Sequence, residues 1–203
     1  MHNAQPPLST TLRAGIFLIL ALVMLATRVN HFAALPDASW AVFFVAGFYL
    51  RGSAKWAFPA LMALAVLIDF FVITGQGTSF WSHYCVSPAY WFLLPSYGAL
   101  WFGGSWLRDG HAGLQTRELA RLIGSAVVAA SVCYLVSNGS FYWISDSVPA
   151  RSFAGWMQNL GDWYVPYLRT TLMYVGVAAA LHVATVLAAE SLAGDTTRAR
   201  AHR

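Results

Sequence analysis

Six apolar stretches with few charges constrain the fold of this chain more than any other feature of its sequence. Charged residues make up 10% of the 203 residues, whereas soluble domains contain about 25%. A helix needs roughly 20 apolar residues to cross the hydrocarbon of a bilayer, and the stretches approach or exceed this length. The sequence therefore predicts an all-α, polytopic membrane protein with a single transmembrane domain over residues 1–203. Its predicted spans are 12–27, 32–50, 56–73, 88–107, 119–136 and 165–189.

The basic residues predict how this bundle is oriented, because Lys and Arg concentrate in cytoplasmic loops. With the amino terminus inside, only Arg28, Arg151 and Arg169 of the twelve basic residues fall on the outer side. Both termini are therefore expected in the cytoplasm. The loop 75–87 is expected to face outward.

Cys85 lies in this outward-facing loop, which contains no Lys, Arg, Asp or Glu. His83 and Tyr84 precede it directly. A thiolate binds soft or borderline metals well, and an imidazole is a suitable second donor, although His-x-Cys is a weak motif. Three interpretations stay open: an inert thiol, a disulfide with Cys133 near the outer end of the fifth span, or a metal ligand.

A second outer connection, residues 138–164, predicts a lid over an outward-facing pocket. A loop of this length is uncommon in a compact domain unless it has a function. Part of it has helical apolar spacing, which predicts an amphipathic helix in the outer interface. The preference of Trp and Tyr for membrane interfaces is an alternative explanation for any single ring. The residues at helical spacing are Phe153, Trp156, Met157, Leu160 and Tyr164.

Asp69 is placed about 6 Å below the outer boundary by the rise of its helix. A carboxylate at membrane depth costs roughly 2.5–3.5 kcal/mol on insertion scales, so it requires a partner. Arg169 has the same nominal depth, which suggests an Asp69–Arg169 ion pair at the pocket floor. In the alternative, Asp69 is hydrogen-bonded to a Tyr or Ser and Arg169 snorkels. Asn30 and His31, in the first outer loop, could donate hydrogen bonds to the same cavity.

The segment from Asp69 through Trp81-Ser82-His83-Tyr84-Cys85-Val86-Ser87-Pro88-Ala89-Tyr90 is similar to the BtuM family of small bacterial cobalamin transporters. The architecture resembles the S-components of energy-coupling factor (ECF) vitamin transporters. This resemblance implies uptake of cobalamin across the bacterial inner membrane. It also implies that Cys85 ligates the corrin cobalt, and that Asp69 and Tyr90 surround the vitamin. An enzymatic role, removal of the upper axial ligand by Cys85, stays open.

Cobalamin is a broad, mostly apolar disc with amide arms, and such a ligand requires wide aromatic walls and scattered hydrogen-bonding groups. Ser140, Gln158 and Asn159 are candidates for the latter. The other expected binding residues are Asn30, His31, Asp69, His83, Tyr84, Tyr90, Asn138, Tyr142 and Arg169.

The resemblance has one departure. S-components typically carry Ala-xxx-Ala in their first span for docking on the energising module. Here Ala14, Ala21 and Ala26 form no such pair, which counts against docking on that module. The chain contains no nucleotide-binding glycine loop, and neither ATP hydrolysis nor a nucleic-acid partner is expected. Two alternatives are an S-component for another vitamin and a membrane thiol enzyme or redox sensor that uses Cys85 and Cys133.

Overall fold

The computed structural model describes residues 8–29, 36–110 and 113–201, and these are helical without a β-strand. The all-α class is therefore confirmed. Short 3-10 helices at Arg51–Ser53, Phe80–Ser82 and Pro88–Phe92 join the longer elements. The α-helices are α1 (Thr10–Arg28), α2 (Ser39–Leu50), α3 (Ala54–Gly75), α4 (Leu93–Asp109), α5 (Thr116–Ile144) and α6 (Phe153–Ala201).

The predicted number of six spans is wrong. Within the described part of the chain, four helical stretches are long and apolar enough to cross a membrane, so a multi-pass membrane protein is the supported class. Helices α2 and α4 are too short to count as spans by themselves. They have 12 and 17 residues, which corresponds to about 18 and 26 Å at 1.5 Å per residue. The four stretches are Thr10–Arg28, Ser39–Gly75, Thr116–Ile144 and Phe153–Ala193.

The chain reverses direction at the turn Arg51–Ser53, within the stretch Ser39–Gly75. Arg28 contacts both Asp37, which precedes α2, and Asp69, which lies in the second half of α3. One straight helix would separate those two positions by more than 40 Å at 1.5 Å per residue. Helices α2 and α3 therefore run antiparallel, and their far ends meet at the same end of the bundle.

Helix α2 forms the centre of the bundle and packs chiefly against α4. It is apolar on all sides, which is typical of a helix surrounded by protein, and Phe43, Phe44 and Leu50 are almost fully buried. Its approach to α4 is close because Gly47 lies against the backbone of Trp101, and Gly104 lies against the backbone of Phe44.

Two serine hydroxyls add hydrogen bonds at these close helix contacts. Ser105 Oγ donates to the Gly47 carbonyl at 3.0 Å, and Ser125 Oγ donates to the Gly103 carbonyl at 2.9 Å. Small residues combined with such bonds are the usual means of helix association in lipid. This packing fixes α2, α4 and α5 as one unit.

The predicted lid loop 138–164 is also wrong. Residues 138–144 complete α5, residues 153–164 begin α6, and only 145–152 connect them. The helical spacing predicted after residue 152 is correct, but that helix continues through Pro166 into the rest of α6. The polar residues of 137–140 resemble a loop in sequence, whereas in the structure their side chains make hydrogen bonds within and between helices.

Two names describe the ends of the bundle below. The Cys85 end carries Arg28, Asp69 and Cys85. The basic end carries Arg51, Arg108 and Arg121.

Candidate functional site

Arg28, the last residue of α1, is the centre of a polar cluster at the Cys85 end. Its side chain is only 7% exposed. Nε donates to Asp69 Oδ1 at 2.7 Å, and Nη2 donates to Asp69 Oδ2 at 2.6 Å. This two-point geometry is the strongest form of an arginine–carboxylate pair.

The remaining terminal nitrogen of Arg28 donates to three acceptors, one each from the segment before α2, from α2 and from α4. Nη1 donates to Asp37 Oδ2 and Ser39 Oγ, both at 3.0 Å, and to the Tyr97 hydroxyl at 3.1 Å. A buried charge is tolerated when it is paired and hydrogen-bonded in this way. The cluster contains one guanidinium and two carboxylates, so its formal charge is negative.

The predicted Asp69–Arg169 pair is not formed, because Arg28 occupies both carboxylate oxygens of Asp69. Arg169 is exposed on α6. Depth alone cannot distinguish two arginines at the same end of a bundle. The signal that could have identified Arg28 is its position directly after an apolar stretch, on the side where basic residues are scarce.

Tyr90 joins the Cys85 loop, residues 76–87, to this cluster. It lies in the 3-10 helix Pro88–Phe92, which Ser87 caps by accepting the Ala89 N–H at 3.3 Å. The Tyr90 hydroxyl donates to Asp69 Oδ2 at 2.7 Å. Asp69 therefore couples the loop to the buried guanidinium.

Cys85 is exposed and forms no disulfide. His83 Nδ1 accepts the Cys85 backbone N–H at 3.3 Å, which places the imidazole beneath the turn. The rings of His83 and Tyr84 lie 4.4 Å apart. The loop thus presents the thiol beside two rings, with one imidazole nitrogen engaged by its own backbone.

The pKa of the Cys85 thiol is raised, chiefly because the surrounding protein removes part of its hydration. A hydrogen bond with Tyr84 and the charge of Arg28 lower the pKa, while the Asp69 carboxylate raises it. Cys85 is therefore mainly protonated at neutral pH.

The second thiol, Cys133, is fully buried in α5 and is free. The predicted alternative of a Cys85–Cys133 disulfide is not present. In the described ranges, no group of three His, Cys, Asp or Glu side chains could hold a metal ion.

Exposed aromatic rings surround the Cys85 loop. Trp81 and Trp91 are each 80% exposed, and Tyr84 is 59% exposed. Beneath them, Phe80 is buried and contacts Phe70 and Tyr90 through its ring. The loop is thus anchored by one buried ring, while its other rings are available to a flat ligand or to lipid headgroups.

Asn138 and Tyr142, predicted to contact a ligand, join α5 to α6. Asn138 Nδ2 donates to Asn159 Oδ1 at 2.6 Å. The Tyr142 hydroxyl donates to the Ser152 carbonyl at 3.1 Å and accepts the Ser152 N–H at 3.3 Å. Ser140 donates to the Ser137 carbonyl, and Gln158 is exposed. Asn30 and His31 lie outside the described residues.

No protein-family model matches the chain, and the comparison with curated proteins finds no match.

Proposed function

We propose that this chain takes up cobalamin across a bacterial inner membrane, binding the vitamin at the Cys85 end. The observation that carries the proposal is the position of Cys85, an exposed free thiol in an aromatic loop without charged side chains. Tyr90 fixes this loop to the Asp69–Arg28 pair. In the BtuM-like pattern, the cysteine at this position is the axial ligand of cobalt. The Cys85 end then faces outward, and both termini lie in the cytoplasm, in agreement with the positive-inside rule.

The chemistry of the donor set fits a metal that is already enclosed in a macrocycle. A corrin supplies the equatorial nitrogens of its cobalt, so one axial thiolate is sufficient. The chain offers Cys85 as that one ligand. Trp81, Trp91 and Tyr84 provide apolar surface around it, in keeping with the largely apolar walls of ligand sites.

The charge of the Arg28 cluster also favours this substrate. Its net negative charge attracts a cationic Co(III) corrin. Partial burial, and to a lesser extent the Asp69 carboxylate, raise the pKa of Cys85, so that its sulfur is a thiol before a corrin binds. A bound metal lowers the pKa of a coordinating thiol enough to deprotonate it. Cys85 is therefore a protected thiol that becomes a ligand when the corrin arrives.

Ligation can remove the upper ligand without electron transfer. The Cys85 sulfur forms a bond to Co(III), and the upper ligand leaves with the electron pair of its own bond. When that ligand is cyanide, it accepts the thiol proton and leaves as HCN. The oxidation state of cobalt does not change, so no reductant is needed.

The alternative of a thiol redox enzyme is less well supported, because Cys133 is fully buried and is not bonded to Cys85. Docking on an ATP-driven ECF module is not part of the proposal, since the first helix lacks the paired alanines. The alternative of another vitamin predicts that Cys85 does not affect binding.

The direct test is the visible spectrum of cobalamin bound to the purified protein. Ligation by sulfur shifts the corrin bands of the wild type and of Cys133→Ser, while Cys85→Ser binds without this shift or does not bind. In protein purified from cells grown with cobalamin, the cobalt content should be similar in the wild type and Cys133→Ser and lower in Cys85→Ser. If cobalamin bound to Cys85→Ser had the same spectrum as cobalamin bound to the wild type, ligation by Cys85 would be ruled out. Thermal stabilisation by biotin or riboflavin, in the absence of any effect of cobalamin, would favour the other vitamins.

A further inference from the structure

An apolar cavity of about 400 Å³ lies at the basic end, opposite Cys85. Helices α2, α4, α5 and α6 line it, with Phe44 and Phe48 from α2 and Leu122 from α5. Val175, Ala178, Ala179 and His182 contribute one face of α6 at helical spacing. None of the residues of the candidate site lines this cavity, so it requires a separate explanation.

The cavity lies where α5 and α6 diverge. At the Cys85 end the two helices are joined by hydrogen bonds from Ser131 to Tyr164 at 2.7 Å and from Asn138 to Asn159 at 2.6 Å. Towards the basic end the same helices flank the cavity instead. The small side chains of Ala178 and Ala179 leave the space between them unfilled.

A wider cavity of about 650 Å³ continues from the first one. Tyr49 and His182 line both cavities, and the Tyr49 hydroxyl and His182 Nδ1 lie 2.7 Å apart. The wider cavity has a polar wall that includes Arg108 and Glu190. Together the two cavities form a space that is called the double cavity below. Its first part is mainly apolar, although Thr116 and Glu118 also line it, and its wider part carries Arg108 and Glu190.

Arg108 lies at the boundary between the two parts. Its guanidinium carbon lies 5.1 Å from the centre of the Phe48 ring, and Phe48 lines the apolar part. Among the side chains that the structure describes, no carboxylate forms an ion pair with Arg108. This cation is therefore available to an anionic group that enters the double cavity.

The double cavity is continuous with the apolar surface of α6. Val183 lines the apolar part and Leu187 lines the wider part, and both are exposed. In a protein with four candidate membrane spans, such a surface faces lipid. An acyl chain can therefore enter from the side, without passing through water.

We propose that the double cavity binds a phospholipid, with one acyl chain between α5 and α6 and the phosphate on Arg108. Engineered cavities lined by apolar side chains stay free of water and accept apolar ligands, which favours an acyl chain over a polar metabolite. The Glu190 carboxylate lines the same wall as Arg108. A headgroup that contains both a phosphate and an amine, as in phosphatidylethanolamine, therefore fits better than a purely anionic one.

The bound lipid joins helices that diverge at this end. A ligand that binds only the folded protein stabilises it in proportion to the logarithm of its concentration. We therefore expect phosphatidylethanolamine to raise the melting temperature of the delipidated protein, independently of cobalamin.

The test is mass spectrometry of phospholipid retained after purification in a mild detergent. Ala179→Phe fills the apolar part and should reduce retention at least about fivefold. Val177→Phe is the matched control, because Val177 is exposed on another face of α6. This variant should retain lipid as the wild type does.

The headgroup contacts are tested separately. Arg108→Gln should weaken binding about tenfold, as expected for the loss of one charge-assisted contact. Glu190→Gln should reduce the preference for phosphatidylethanolamine over phosphatidylglycerol.

A melting series with added phosphatidylethanolamine separates lost binding from misfolding. The wild type and Val177→Phe should be stabilised, and Ala179→Phe should fold but show no response. Equal retention of phospholipid by Ala179→Phe and Val177→Phe would overturn the proposal. So would a wild-type protein that retains no phospholipid, or one from which a water-soluble molecule is extracted instead. A preference for phosphatidylglycerol would overturn the headgroup assignment. Cys85→Ser should retain lipid normally, so this proposal can fail or succeed independently of cobalamin binding.

Discussion

Arg28 and Asp69, 41 positions apart in the chain, form a two-point ion pair at 2.6 and 2.7 Å that joins the end of α1 to α3. Breaking a buried pair by removing one partner costs about 3–5 kcal/mol, because the other charge is left uncompensated. We expect Arg28→Gln to lower the free energy of unfolding by an amount of this order. Asp69→Asn should cost less, because Arg28 keeps its ion pair with Asp37.

The double variant should lose less stability than the sum of the two single variants, since it removes both charges of the pair. Unfolding in mixed micelles measures all three. Arg169→Gln is the control and should change stability by less than about 0.5 kcal/mol, as is usual for exposed positions. Additive losses in the double variant would mean that the two side chains are not coupled.

The raised pKa of Cys85 predicts slow alkylation at neutral pH. The thiolate is the reacting form, and burial shifts the equilibrium toward the thiol. In a Cys133→Ser background, the rate of iodoacetamide labelling should therefore rise with pH, with its midpoint above that of the denatured protein. Removing the charge of Asp69, which raises this pKa, should move the midpoint to lower pH.

Asp37→Asn serves as the comparison for Asp69→Asn. Asp37 also pairs with Arg28, but it is not among the groups that shift the pKa of Cys85. Its substitution should leave the midpoint nearer to the wild-type value. An equal shift in both variants would assign the effect to the disturbed Arg28 cluster instead of the charge of Asp69.

The close approach of α2 and α4 predicts opposite effects of two Gly→Ala substitutions within α4. A Cβ at Gly104 would collide with the backbone of Phe44, whereas a Cβ at Gly98 meets open space. Gly104→Ala should cost about 1–3 kcal/mol through overpacking. Gly98→Ala should stabilise by about 0.5–1 kcal/mol, because glycine is unfavourable inside a helix. Thermal unfolding compares them directly, and equal effects would contradict this packing.

The sequence predicts the helical class correctly because apolar segments in lipid must satisfy their own backbone hydrogen bonds. It overestimates the spans because apolar composition does not distinguish a lipid-facing helix from α2, which is short and surrounded by protein. The apolar composition of α2 is consistent with its burial at the centre of the bundle. It does not indicate whether the helix is long enough to cross the membrane.

The candidate site is predicted in part. The BtuM-like segment implies that Asp69 and Tyr90 both surround a ligand, and the structure joins the two by a hydrogen bond. From the sequence, Arg28 is informative only about topology, because its contact with Asp69 depends on how the helices pack. Asn138 and Tyr142 can form hydrogen bonds to a ligand, but the same groups serve a helix–helix contact equally well, and the sequence does not distinguish the two roles.

Tyr142 provides the test that separates these two roles. Tyr142→Phe removes the two hydrogen bonds between the Tyr142 hydroxyl and the Ser152 backbone, and one such bond contributes about 0.5–1.5 kcal/mol. We expect the melting temperature to fall while the affinity for cobalamin, measured below the transition, stays at the wild-type value. Tyr84→Phe is the matched control for stability, because Tyr84 is exposed, and it should unfold as the wild type does. Weaker cobalamin binding by folded Tyr142→Phe would return Tyr142 to the binding site.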